Sequence, residues 1–564
     1  MTAYFTIGDG VAALSLLLLI PQFVKPLYDF RLSMRRMRRS RLYAIATASF
    51  VAILIAALLP QMPFAGLTLV GWPVFWEFLA GLGFLFCYSA LALSYLFPAQ
   101  VKEGSAELFA RGAARFLAHA STADHVDFAG EVRNNMKPLL RLAQSVDFNR
   151  ANNNAFYAFT NRKRIRDAGY SDSLLGILAD PAFCRSLIER CPWDVADILR
   201  ILSERDDPVS LRSGKALVQQ LARQALISDD SIITREADYF GFGRAPVLSD
   251  ALFGNWRINR ELLPFQGLRY DDFNASEAYV ARLNFAAEIS LKNLFKSRGA
   301  WEAANIYNLV GHYEGMFLKA RLSKAESQAW RLPGSLGSGV KALIALTRSH
   351  LAALPTKDRQ DFYAIEDGQA WRDSHVVDAV ATLTFDFWSS IANDFQGFGD
   401  PSWTSAHDTW NACFDRYGKQ PSGMDPLQQR VALLMRKKID DNMQGWYPAL
   451  TRLCLAMLGP YEANDRNNPD AALGLVRRDF YFRLKKLPQL AKDMPEKIKD
   501  YLPPNVSLDV DTETLTHTYS SGATATTVLS SLTMPPVSLE MAAVSLGPDA
   551  PLTANRDGPA PDAS

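Results

Sequence analysis

RLSMRRMRRSR, residues 31–41, is the stretch on which the reading of this chain turns. Arg31, Arg35, Arg36, Arg38, Arg39 and Arg41 crowd between two apolar stretches, and Lys25 adds a positive charge just upstream. On the N-terminal side, VAALSLLLLIPQFV lies between Asp9 and Lys25 with no charge in it. On the C-terminal side, residues 42–76 form a run of 35 uncharged residues. Pro60, Pro63, Gly66, Gly71 and Pro73 interrupt that run, so it predicts two helices rather than one. A bilayer core of about 30 Å needs roughly 20 apolar residues of helix. Three spans are therefore expected, at about 7–26, 42–59 and 74–97. Backbone in hydrocarbon must bond to itself, so each span should be helical.

The arginines also set an expected orientation. The connection after span one is dense in positive charge, whereas residues 59–74 hold no Lys or Arg. The positive-inside rule puts the first connection in the cytoplasm and the second outside. The N-terminus is then outside, and the chain after residue 97 is cytoplasmic. A cleaved signal peptide would carry its positive charge before the apolar run; here the charge follows it, as in a retained anchor. Within span two, Ala44, Ala48, Ala52 and Ala56 recur at spacing four. Such a stripe lets a second helix approach closely, either a neighbouring span of the same chain or a second copy.

Beyond the membrane region, 1–102, the balance of charge changes. The first 102 residues hold 8 Lys+Arg and 3 Asp+Glu, leaving 52 and 56 of the chain's 60 and 59 for the remainder. The remainder is thus mildly acidic, and nucleic acid is not an expected partner. Residues 103–503 show helical periodicity, as in ASEAYVARLNFAAEISLKNLF from Ala275 and VVDAVATLTFDFWSSIANDF from Val376. Strand periods are nearly absent. The expected fold is mainly α: three N-terminal transmembrane helices, a large all-helical cytoplasmic domain, and a low-complexity tail. The tail, 504–564, has Arg556 as its only Lys or Arg against seven Asp+Glu, and is expected to be mostly disordered, with a small hairpin near its start.

One segment, 228–272, breaks the helical pattern. Gly241, Gly243, Pro246, Gly254, Pro264 and Gly267 punctuate it, and it is dense in aromatic and arginine side chains. About forty irregular residues in a helical domain either close a core or bind something. As a binding surface it offers Tyr239, Phe242, Arg244, Trp256, Arg257 and Arg260. Aromatic bodies supply a wall there and arginines supply orientation.

Catalytic chemistry leaves no trace that can be assigned to a residue. There is no HExxH, GxSxG or phosphate-loop pattern. His119, His125 and Asp127 cluster in HASTADHVD, but their spacing does not stack them on one helix face, and Ser-Thr-Ala-Asp between them reads as a helix cap. Neither a metal nor a cofactor is expected. Cys184 and Cys191 lie seven apart, too far along a helix for a disulfide, and read as reduced core residues.

Basic residues elsewhere suit an anionic membrane surface. Arg35, Arg36, Arg38 and Arg39 flank the spans, and Arg477, Arg478, Lys485 and Lys486 alternate with aromatics in LVRRDFYFRLKK. A further run, NRKRIRD, begins at Asn161. The functional expectation is a membrane-anchored interaction or sensor protein that meets membrane lipid and a protein partner. The alternatives are an oligomeric effector or pore gated by its cytoplasmic part, and an enzyme with a membrane-proximal substrate.

Overall fold

The computed structural model describes residues 7–23, 26–34, 39–58, 73–146, 152–204, 212–238, 246–268, 276–296, 304–325, 334–354, 376–392, 401–414, 425–442, 448–459, 472–518 and 521–532. The fold is mainly helical, as the periodicity predicts. The chain divides into two compact units, residues 1–268 and 269–564. That division falls inside the stretch expected to be one helical domain.

The first unit opens with α1 (Ile7–Phe23), α2 (Pro26–Met34), α3 (Arg39–Leu58) and α4 (Pro73–Leu96). Two of these are long and apolar enough to cross a membrane, within Ser40–Leu58 and Pro73–Ser94. Only 33% of each such window is buried, whereas the core helix of a soluble protein would be mostly covered. Their outer faces show Val51, Phe78, Leu82, Leu85, Phe86 and Leu93. With 17 residues, α1 stands at the short limit of the roughly 17–25 that a span uses.

α3 and α4 pack along a seam of small residues. Ala46 and Ser49 of α3 meet Ala80, Gly83, Cys87 and Ala90 of α4, and all but Gly83 are buried. A Cβ on Gly83 would overlap Ser49 Oγ and stand 3.2 Å from Ser49 Cβ, so the glycine is what allows this approach. α1 lies against the pair. Gly10 abuts Ile53 and Phe50, and the Tyr88 hydroxyl donates to the Ala13 carbonyl at 2.9 Å.

The rest of this unit contains α5 (Ala106–His119), α6 (Thr122–Ala143), α7 (Ala155–Thr160), α8 (Arg162–Leu178), α9 (Pro181–Arg190), α10 (Pro192–Ser203), α11 (Arg212–Ile227) and α12 (Ile232–Asp238). Ser121 starts α6 with a reciprocal cap: Asp124 N donates to Ser121 Oγ, and Ser121 N donates to Asp124 Oδ2 at 2.9 Å. His125 follows, buried, with Nδ1 3.0 Å from Ser186 Oγ. Cys184 and Cys191 are buried free thiols. Burial pushes the Cys191 thiol up to about 11, which keeps it protonated and unreactive near neutrality.

The second unit comprises α13 (Glu277–Lys296), α14 (Ala304–Ala325), α15 (Gly334–Ala353), α16 (Val376–Ala392), α17 (Pro401–Phe414), α18 (Pro426–Asn442), α19 (Pro448–Leu458), α20 (Ala472–Arg483), α21 (Leu487–Asp493) and α22 (Ile498–Tyr501). α16 is its central helix, buried on nearly every side and packed against α14, α15 and α18. Trp388 lies 4.9 Å from Trp410 between ring centroids and donates Nε1–H to Thr409 Oγ1 at 2.8 Å. Asp378 and Arg430 form a buried ion pair at 2.8 Å.

Folded structure continues past residue 503. β1 (Val506–Asp509), β2 (Thr514–Thr518) and β3 (Thr524–Val528) form an antiparallel meander, pairing Val506 with His517 and His517 with Ala525. Residues 504–532, expected to belong to a mostly disordered tail, are therefore folded, and the expected hairpin is a three-stranded sheet. Alternation of Leu515 and His517 on one face, both buried, seats the sheet on the helical core. Residues 533–564 lie outside the described residues.

Candidate functional site

The side chains that stand out are where α2, the end of α4 and the middle of α6 meet. α2 is nine residues long and joins two apolar helices, yet Leu27, Phe30, Leu32 and Met34 are buried. It has two apolar faces. Leu32 belongs to the cluster formed by α3 and α4, while Phe30 enters an aromatic cluster of α5 and α6. The Phe30 ring meets Phe109 of α5 at 5.0 Å and Phe128 of α6 at 5.1 Å, both edge-on. Phe116 stacks on Phe128 at 4.7 Å. Gly112 of α5 faces Phe30 so closely that an added Cβ would lie 3.0 Å from the ring.

Charge reinforces this packing. Arg31 Nε donates to Glu131 Oε1 of α6 at 2.6 Å, and the Glu131 side chain is 1% exposed. Arg31 also lies over the Tyr28 ring and reaches the Ser94 carbonyl near the end of α4. Glu131 Oε2 accepts from Ala99 N at 2.9 Å. One turn later, buried Asn135 accepts from Val101 N at 2.8 Å and donates to Ala99 O at 2.6 Å. Asp167 of α8 then accepts from Gly104 N at 2.7 Å. The chain leaving α4 is thus held by three side chains in succession. A buried acid is costly unless paired and hydrogen-bonded, and Glu131 has both kinds of partner.

The irregular segment is partly described. Tyr239, Phe242 and Arg244 lie outside the described residues. Glu236 of α12 accepts from Val247, Leu248 and Ser249 backbone N–H groups and from Ser249 Oγ, which closes the two ends of that gap on one carboxylate. After a single α turn at Val247–Ser249, the chain makes π turns at Asp250–Gly254 and Ile258–Leu262 and a 3-10 turn at Pro264–Gly267. Leu263, between the last two, has φ of 47°, a conformation uncommon outside glycine. Phe253 and Phe265 stack at 5.1 Å with both rings fully buried. Trp256 is only half-buried, with Arg257 over its ring at 5.5 Å. Arg257 Nη1 donates to the Ser203 carbonyl at 3.1 Å, satisfying the last turn of α10. Arg260 is exposed. This described part closes the core over α10 and α11.

The remaining expected positions are dispersed. Arg35, Arg36 and Arg38 lie outside the described residues, and Arg39 is the first residue of α3. In the second unit Arg477 and Arg478 of α20 are half-buried. Lys485 stands over Phe482 at 5.5 Å, and Lys486 is exposed. The alanine stripe of α3 divides: Ala52 and Ala56 are buried, whereas Ala44 and Ala48 are exposed. Ala48 instead borders an open groove of about 650 Å³ with Ile45, Ser49, Leu82, Gly83 and Phe86. Spacing four advances about 40° per step on a helix, so the stripe cannot stay on one face.

Among the described residues no group of three or more His, Cys, Asp or Glu is placed to hold a metal ion. Glu131, Asn135 and Phe30, which build the junction, carry no local sequence signal, because their partners are remote in the chain. Comparison with protein-family models, curated proteins and solved structures finds no match for this chain.

Proposed function

We propose that this protein is a membrane-anchored interaction or sensor protein whose membrane helices are mechanically continuous with its first helical unit. α1, α3 and α4 are its three spans, with the N-terminus outside and everything from α5 onward in the cytoplasm. Support for α1 as a span comes from its packing on α3 and α4 through Gly10 and Ala13. Support for the orientation comes from the arginine-rich connection. The helical part binds a protein partner.

The observation that carries this reading is the double burial of α2. A protein that needs only a tether can use a flexible linker. Here the connection between two membrane helices is itself core of the soluble unit, through Phe30 and the Arg31–Glu131 pair. Displacement of the spans therefore reaches α5 and α6 without slack. Cysteine-accessibility mapping tests the topology: positions after Lys102 should react only from the cytoplasmic side. Photocrosslinking in membranes, with mass spectrometry of the adducts, tests the partner. An external location for α5–α12, or crosslinks to no other protein, overturns the reading.

A second reading, an oligomeric effector or pore, is favoured by the open groove beside Ala48, which would admit a helix of a second copy. Ion flux on expression separates the two.

A further inference from the structure

The first unit has a surface that its packing leaves unexplained, formed by α7 and the first turn of α8. No residue of α7 is buried. Phe156 is 77% exposed and Phe159 80%, more than any other large apolar side chain among the described residues, including Leu96 at 73% on the end of α4. Single exposed phenylalanines are ordinary; two at spacing three share one helix face and form a patch. Arg162, Lys163, Arg164 and Arg166 follow directly and are all exposed. No acid occurs between Asp147 and Asp167.

The position of this patch is set by the chain that leaves α4. Gly104 comes eight residues after Leu96 and donates its N–H to Asp167 at 2.7 Å. A Cβ on Gly104 would lie 3.5 Å from Lys163 Cε. Ala99 and Val101, between Leu96 and Gly104, are pinned to α6. The first turn of α8 is therefore stapled beside the exit from the membrane helix.

We infer that α7 and the start of α8 form a membrane-surface foot. Phe156 and Phe159 enter the headgroup region, and Arg162, Lys163, Arg164 and Arg166 bind anionic phospholipid headgroups of the leaflet from which α4 emerges. Aromatic rings favour that interface, and basic residues are drawn to anionic lipid there. Charge complementarity and the continuity with α4 select lipid over a protein partner. The foot rests on the reading of α3 and α4 as spans.

The test uses the full chain in nanodiscs of phosphatidylcholine alone or mixed with phosphatidylserine. Phe159→Cys is labelled with bimane; the five native cysteines are buried and free. Quenching is measured with a nitroxide on the lipid near the headgroup and with iodide in water. Nitroxide quenching should be about twofold or more stronger with phosphatidylserine present, and should weaken with added salt. Each basic residue at an anionic surface contributes roughly fivefold to the equilibrium, so Arg162→Glu/Lys163→Glu/Arg164→Glu should return quenching to the phosphatidylcholine level. Phe156→Cys should report the same depth, and circular dichroism should show the charge-reversed chain still helical. Equal nitroxide quenching in both discs overturns the foot. So does shielding of the label from both quenchers, which would mean that protein covers the patch. Carbonate extraction of cell membranes tests the spans separately: release of the chain sinks the span reading, whereas retention with an iodide-exposed label sinks the foot alone.

Discussion

Arg31 and Glu131 are 100 positions apart and join the connection between α1 and α3 to α6. Breaking a buried pair leaves an uncompensated charge, which typically costs about 3 kcal/mol. Arg31→Met and Glu131→Gln should each lower the melting temperature in detergent, and the double variant should lose less than the two costs summed, by about 1 kcal/mol or more. Strict additivity would mean that the pair is not coupled. In the irregular segment the buried anchors are Phe253 and Phe265 rather than Trp256. Phe265→Ala should cost about 3–5 kcal/mol. Trp256→Ala, at a half-buried site, should cost well under that. Equal losses in thermal melts would refute the assignment. His517 gives a pH prediction. Tyr481 donates its hydroxyl proton to the Gly459 carbonyl at 2.6 Å, so the 2.9 Å contact with His517 has the imidazole Nε2–H donating to Tyr481. Burial, then the Arg477 charge, hold His517 down to about 4. The unfolded chain, with a histidine near 6.5, takes up the proton first. The contribution is complete above about pH 6.5 and is lost as pH falls toward 4, with roughly 2 kcal/mol of it already gone at pH 5. Hydrogen-exchange protection factors over residues 506–518, taken relative to the intrinsic exchange rate at each pH, should fall on acidification, and His517→Gln should flatten that dependence.

At the scale of elements, the α3/α4 seam depends on close approach more than on hydrophobicity. Gly83→Leu should separate the helices, since even a Cβ meets Ser49 at 3.2 Å or less. Ala48→Leu, on the open face, should leave folding intact and alter only the crosslinked oligomer pattern if the groove seats a second copy. A size-exclusion profile of each variant in detergent distinguishes the two effects. The sequence shows this region as an apolar helix with small residues, which is correct. It does not show which small residues meet, because a period of four drifts around the helix while the seam follows Leu42, Ala46, Ser49 and Ile53. α2 is harder still to read. Its apolar spacing, Leu27, Phe30 and Met34, is present in the sequence but runs directly into a dense cluster of arginine at 35–41, and charge dominates the reading.

For the whole molecule, the division at residue 268/269 predicts that residues 1–268 fold without the remainder. That fragment should be retained in membranes and should melt cooperatively in detergent. Aggregation, or loss of the α5–α6 hydrogen-exchange protection seen in the full chain, would show that the first unit needs the second. Continuity of α2 with α5 and α6 also implies that cutting the chain between residues 97 and 105 should not release α5 and α6 from α1–α4, because Phe30 and Arg31 still hold them.

Some properties of this protein follow from sequence alone. Apolar run length, arginine placement and helical period act locally and survive any tertiary arrangement, so the membrane-compatible helices and the mainly α class are legible from them. The cap at Ser121 is legible for the same reason, since its partner Asp124 is three residues away. Tertiary structure alone decided the rest. The burial of Glu131 and Asn135, the insertion of Phe30 between α5 and α6, and the placement of Arg162–Arg166 beside Gly104 depend on side chains brought together from distant positions. Burial and pairing at that range are set by which surfaces meet, and a single sequence records the residues but not their meeting.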